Sequence, residues 1–161
     1  MSIKIAGGRR IDPYRGFRFR VNIDGFEEAG FTTVSGLADE TEVVEYREGD
    51  TAAGHMHKLP GMTSYDDIVL SKGKASDTVF QRWRNQVHQA TTGRGLPDPN
   101  FRKSMIIELR NFQNQSVKTW NVLQAWPSRL EHEDLDASSS DVWIERLTIV
   151  HEGLVSKGIT I

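Results

Sequence analysis

The sequence predicts a mainly β fold: a barrel or sandwich of about seven or eight strands with one α-helix and a long loop carried on an extended hairpin. Three observations predict it. Short stretches alternate apolar and polar side chains, the period of a half-buried strand. Gly, Pro, Asn and Asp clusters separate those stretches. A single segment, following Ser76-Asp77, carries apolar side chains at helical spacing. Strand groups with one helix between them suit a sandwich or closed barrel rather than alternating βα units. A barrel of this size is filled by its own side chains and has little room for a ligand.

Residues 1–11, with Gly7-Gly8 and Arg9-Arg10 and little periodicity, read as an N-terminal arm, and residues 12–161 as a single domain opened by Asp12-Pro13-Tyr14. Phe17, Phe19, Val21 and Ile23 share one face of a strand, and Asp24-Gly25 carries a type I′ turn signal. Phe26 to Val34 returns as the partner, with a bulge or bend expected at Gly30 and a break at Ser35-Gly36. Thr41 to Glu48 reads as a half-buried strand and Tyr65 to Lys72 as a second, ended by Gly73. Between them Gly49 to Ser64 forms a connector holding three Gly, one Pro and two His. That is well beyond the usual hairpin loop of about 2–5 residues, and ordered loops of such length are more often functional than accidental. The bland alternative is a floppy tip.

The helix, capped by Ser76 or Asp77, places Val79, Phe80, Trp83, Val87 and Ala90 on one face and Gln81, Arg82, Arg84, Asn85 and Gln86 on the other. It reads as a lid on the end of the sheet. Thr91 to Asn100 is a loop. Phe101 to Arg110 and Ser116 to Ala125 are strands joined by a turn at Asn111 to Gln115. Trp126-Pro127 is expected to end a central ladder, because Pro donates no hydrogen bond. Ser128 to Glu133 reads as a short strand leaving that corner, and Asp134 to Ser140 as a loop. In the last strand, Asp141 to Glu152, the apolar phase slips midway, which predicts burial on both faces or a bulge.

Composition narrows the function. The 161 residues suffice for one domain with a real core, and no apolar run approaches the roughly 18 residues of a membrane helix. The N-terminus lacks the apolar core of a secretory signal, and the chain is expected to fold in a reducing cytoplasm. Cysteine is absent, so disulfides, zinc–thiolate centres and thiol nucleophiles are excluded. A net charge of −2 with the signs dispersed argues against a dedicated nucleic-acid binder.

Candidate chemistry is sparse. Glu42, Glu45, Asp66 and Asp67 read as solvated strand faces rather than paired catalytic acids. His55 and His57 have a spacing that suits metal ligation, but no third ligand accompanies them, so a surface pair is favoured. His132 and His151 read as structural. Ser138-Ser139-Ser140 lacks a nucleophile-elbow context, and Gly7-Gly8-Arg9-Arg10 lacks the Lys and hydroxyl residue of a phosphate loop. The residues point to no enzyme activity, no cofactor and no metal.

Several motifs in order resemble the contractile-phage tail tube proteins. They are Asp12-Pro13-Tyr14 with the Arg/Phe strand after it, Gly30-Phe31-Thr32-Thr33-Val34-Ser35-Gly36-Leu37, Glu42 to Gly49, and Lys58-Leu59-Pro60-Gly61 followed by Tyr65, Ile68, Leu70, Lys72 and Gly73. Trp120-Asn121, Ala125-Trp126-Pro127, Leu135 to Ser139, and Ile144-Glu145 through His151-Glu152-Gly153-Leu154 continue the pattern, so the resemblance spans Asp12 to Leu154. It implies a tail-tube-type barrel that forms hexameric rings stacked into a hollow tube. It also implies partners: a contractile sheath, a baseplate, a tape-measure protein and DNA or protein cargo in the lumen, with no sequence-specific binding and no membrane. The location implied is a virion tail or injection particle assembled in the bacterial cytoplasm. The same fold serves phage tails, tailocins, extracellular injection systems and, more distantly, the type VI secretion tube, and the resemblance does not choose among them. The arm is longer than such starts usually are, which leaves open a main tube subunit or an end-ring version. On this resemblance the contact between subunits or rings is expected at Tyr46, Arg47, Glu48, Gly49, Asp50, His55, His57, Lys58, Leu59, Pro60 and Gly61. The rival readings are a monomeric β-barrel binding module for a small apolar ligand and, with no constellation to support it, a hydrolase using a His and an acid.

Overall fold

A computed structural model of the chain describes residues 3–4, 10–11, 18–26, 29–49, 54–73, 78–88, 99–134, 137–138 and 143–158. Within the arm, β1 (Ile3–Lys4) pairs antiparallel with β2 (Arg10–Ile11) as a separate ribbon. Two residues per strand are too few to leave a period in the sequence.

The next three strands close the barrel. β3 (Arg18–Ile23) turns at Asp24-Gly25, where the Phe26 N–H donates to the Ile23 carbonyl at 2.9 Å. Gly25 has φ 80°, while among described non-glycine residues only Asn114 and Gln124 have positive φ. Asp24 therefore does not make the expected type I′ turn, which requires positive φ at both positions. β4 (Ala29–Phe31) pairs with β3 in unbroken register through Gly30, so the expected bulge is absent there. A further break falls at Thr32, ahead of the expected one at Ser35-Gly36, and the Thr32 N–H and hydroxyl both donate to the Ser71 carbonyl at 3.0 Å. β5 (Thr33–Ser35) then pairs with a different strand, β8 (Ile68–Gly73).

The remaining elements are β6 (Asp39–Tyr46), β7 (His57–Tyr65), α1 (Val79–Val87), β9 (Lys103–Arg110), β10 (Ser116–His132), β11 (Ile144–Val150) and β12 (Gly153–Gly158). The main sheet has eight strands in the order β4-β3-β9-β10-β11-β8-β5, with β12 added beside β10. Its two ends, β4 and β5, are joined through Thr32 alone, so the sheet path closes on itself.

β10 is the shared wall. Its first half pairs with β9 on one side and β12 on the other, and Trp126 to His132 pair with β11. The expectation that Trp126-Pro127 ends the strand is corrected: β10 runs through it for 17 residues. Gln124 at φ 53° bends the strand, and the register shifts between Pro127 and Arg129, so the ladder absorbs the missing donor as an irregularity.

β11 buries Glu145, Leu147 and Ile149 and half-buries the residues between. Its register with β8 is uninterrupted from Ile144–Gly73 to Ile149–Ile68, so the slipped apolar phase reflects two covered faces. Glu145 sits opposite Lys72, and both are buried. β12 was not legible in the sequence. Glycines bound it and its last four residues are exposed, so no alternation forms.

The helix is shorter than its apolar stripe implies. Val79, Phe80 and Trp83 are buried, and Thr78 precedes them without a side-chain cap. The expected caps Ser76 and Asp77, and Ala90, lie outside the described residues. The Trp83 indole N–H donates to the Phe101 carbonyl at 2.8 Å, and Phe80 stacks on Phe31 at 5.4 Å. These side chains join Val21, Ile107, Val122 and Leu147, each at 0% exposure, in one core.

Candidate subunit-contact site

The two strands and connector expected around Glu40–Lys72 are corrected by the structure. β6 pairs not with Tyr65–Lys72 but with β7, so His57 to Ser64 is strand rather than loop. Asp66-Asp67 is the junction where the chain leaves β7 for β8. Pro60 and Gly61 disguised β7. A ribbon edge places no ladder demand on Pro60, and the register shift between Thr41 and Val43 accommodates Gly61. A Cβ at Gly61 would stand 3.1 Å from Val44 Cγ2 and 3.2 Å from the Glu42 carbonyl.

β6 and β7 form a two-stranded sheet of their own. All eight residues of β6 and the seven central residues of β7 are exposed, so β6 is not the half-buried strand the alternation predicts. Val43 and Val44 are consecutive and therefore point to opposite faces. Neither is covered within the chain. Val43 is 59% exposed, Leu59 49% and Met62 80%.

The ribbon's faces differ. On one, Tyr46 stacks on His57 with ring centroids 5.3 Å apart, and Val44 lies opposite Leu59. On the other, Glu45 faces Lys58 at 3.8 Å and Val43 lies opposite Pro60. The Thr41 and Thr63 hydroxyls bond to one another at 2.9 Å nearer the root.

That root is built closely. Gly36 has φ 82°, and a Cβ there would overlap the Asp67 carbonyl oxygen, so glycine is required twice over. The Ala38 N–H donates to the Gly36 carbonyl at 2.9 Å, and the Asp66 N–H to the Ala38 carbonyl at 3.1 Å. From β7, the Tyr65 ring meets His151 at 5.3 Å.

Of the expected contact residues, the structure brings Tyr46, His57, Lys58, Leu59, Pro60 and Gly61 together on the ribbon. Arg47, Glu48 and Gly49 follow β6, exposed. His55 is exposed, its ring 5.7 Å from that of His57. Asp50 lies outside the described residues. Among the described residues no group of three or more His, Asp or Glu could hold a metal ion. Val43, Val44 and Met62, exposed on the same ribbon, were not among the expected contact residues. Two adjacent valines in an otherwise charged strand were the available signal, because one core cannot cover both.

The sequence profile of the T4-like virus tail tube protein gp19 family matches residues 15–155. The chain belongs to that family. Comparison with curated protein sequences found no match. Among solved structures, this tail tube chain is similar to one in the sheath–tube complex of an extracellular contractile injection system (PVC) in its extended state. The two are 28% identical with TM-score 0.73, covering 91% of this chain and 93% of the other. A chain of the anti-feeding prophage cap, which terminates its tube, is 26% identical with TM-score 0.76, covering 98% of this chain and 97% of that one. Hcp1 from Flavobacterium johnsoniae, 13% identical with TM-score 0.53 over 88% of this chain and 95% of its own, shares the fold. The mainly β tail-tube fold expected from the sequence is thus the fold observed, in a family of structural tube proteins.

Proposed function

We propose that the chain is the repeating, non-enzymatic subunit of the inner tube of a contractile phage tail or phage-tail-like injection particle. In this reading subunits form hexameric rings, rings stack into a hollow tube inside a sheath, and DNA or protein cargo passes along the lumen. A baseplate and a tape-measure protein complete the partners, and assembly takes place in the bacterial cytoplasm. Residues 12–161 act as one barrel domain and residues 1–11 as an arm.

One observation carries the reading: a two-stranded ribbon exposed on both faces, with Val44, Leu59 and the Tyr46–His57 ring pair on one and Val43 and Pro60 on the other. Contiguous exposed apolar surface of this kind marks an interaction site. A ribbon that reaches from one copy to the next makes a head-to-tail contact, and such contacts propagate into a filament when they do not close. A barrel that binds a small apolar ligand needs an empty interior, whereas Val21, Ile107 and Leu147 fill this one.

The test is Val44→Asp with Leu59→Lys. Both side chains are exposed, so circular dichroism should be unchanged. Electron microscopy should show folded subunits or isolated rings in place of tubes. Tubes of normal length would remove the ribbon face from the joint, and a wild-type protein that stays monomeric at high concentration would overturn the tube reading itself.

A further inference from the structure

His151 stands between two turns, and both of its ring nitrogens meet backbone carbonyl oxygens. Nδ1 lies 3.1 Å from the Gly153 carbonyl, at the start of β12, and Nε2 lies 3.0 Å from the Asp66 carbonyl, at the root of the ribbon. A carbonyl oxygen only accepts. Neutral imidazole has one N–H and one lone pair, so it satisfies one of these partners and turns a lone pair toward the other. The imidazolium donates to both, and a bond from a charged donor is the stronger kind.

We propose that His151 is a proton-operated latch that fixes the root of the β6–β7 ribbon to the barrel. With the ring charged, the Asp66 and Gly153 carbonyls are tied through it and the junction between β7 and β8 is held. With the ring neutral one tie is lost, and the junction is left with the Asp66 N–H bond to Ala38, Gly36 and the Tyr65 ring. Among the described residues, the titratable groups beside the latch are Tyr65 on β7, Asp66 and Asp67 in the junction, and Glu152 next to His151 in sequence. Among the described ion pairs none involves His151, so its geometry is set by the two carbonyls. The latch concerns the subunit itself and does not depend on the tube reading.

Histidine is the side chain that ordinarily changes charge between about pH 5 and 8, so that range is the one to scan. Amide exchange at Asp66, whose N–H bonds across the ribbon root, reads the latch directly. After correction for the chemical rate, exchange there should be about tenfold slower at the acidic end than at the basic end, the worth of one charge-assisted bond. In His151→Gln, whose amide brings one carbonyl oxygen and one NH₂ group, that pH dependence should vanish. It should persist in the His55→Ala, His57→Ala double variant. An unchanged Asp66 rate in the wild type, or the same pH dependence in His151→Gln, overturns the proposal. Should His151→Gln fail to fold, ring ¹⁵N spectra of the wild type decide. Two ring N–H protons that are both protected from exchange with water at the acidic end uphold the latch; a single N–H throughout, or two that exchange as fast as those of a free imidazolium, overturns it. The measurement is the same in free subunits or in rings, so a failure of stacking leaves it intact.

Discussion

At the scale of single residues, the sequence exposes the side chains whose neighbours are apolar and hides those whose neighbours are charged. Trp83 was readable as core, and it is fully buried with its indole N–H bonded to Phe101. Trp83→Ala should cost about 3–5 kcal/mol, measured by chemical denaturation, and a near-wild-type value would mean the site collapses fully around the gap. Gly36→Ala should also lower the melting temperature, because alanine there meets both an unfavourable φ and the Asp67 carbonyl. The burial of Lys72 and Glu145 could not be read in advance. Each looks like surface alone, and only the register of β8 on β11 sets them opposite one another. His55 and His57 behave in the opposite way: both were visible as a pair, and their rings lie 5.7 Å apart at the outer end of the ribbon. Changing both to Ala should leave the circular dichroism spectrum and assembly intact, while a stoichiometric metal lost in that variant would contradict this.

Elements were legible where one face is wet. β3 and β9 alternate and were found, whereas β7 was read as connector because Pro60 and Gly61 imitate loop chemistry, and β10 was cut short at Pro127. The reason is physical: a ribbon edge tolerates Pro60, and an irregular stretch of β10 where the ladder to β11 shifts register tolerates Pro127, but neither context is visible from the residue itself. β6 was found for a mistaken reason, since its valines face solvent on both sides rather than a core. The observed strand boundaries define which stretch can be shortened. Residues 47–56 connect the strands, and His57 must be kept because it pairs with Tyr46. Replacing 47–56 by a tight Asn-Gly turn should spare the fold, since shortening a loop lowers its closure entropy. If the tip itself reaches a neighbouring ring, electron microscopy should show short tubes or single rings, and normal tubes would confine the joint to the ribbon faces.

For the whole molecule, the expected barrel is realised through a closure that no local pattern announces: β4 and β5, one residue apart, pair with strands at opposite ends of the sheet path. That closure has a consequence for synthesis. Arg18 lies opposite Arg110, and β8 reaches β10 only through β11. A chain emerging from the ribosome N-terminus first cannot complete the wall until Val150 has appeared, and pairings this distant in sequence form slowly. A nascent chain halted after Glu133 would present β8 and the second half of β10 as unpaired edges, prone to aggregation. Such a truncated chain should give no cooperative melt and should sediment with insoluble material; a soluble, cooperatively melting product would show that the wall closes without β11. Translation would then act as a gatekeeper, withholding unfinished subunits from a polymer whose every member must fit its neighbours.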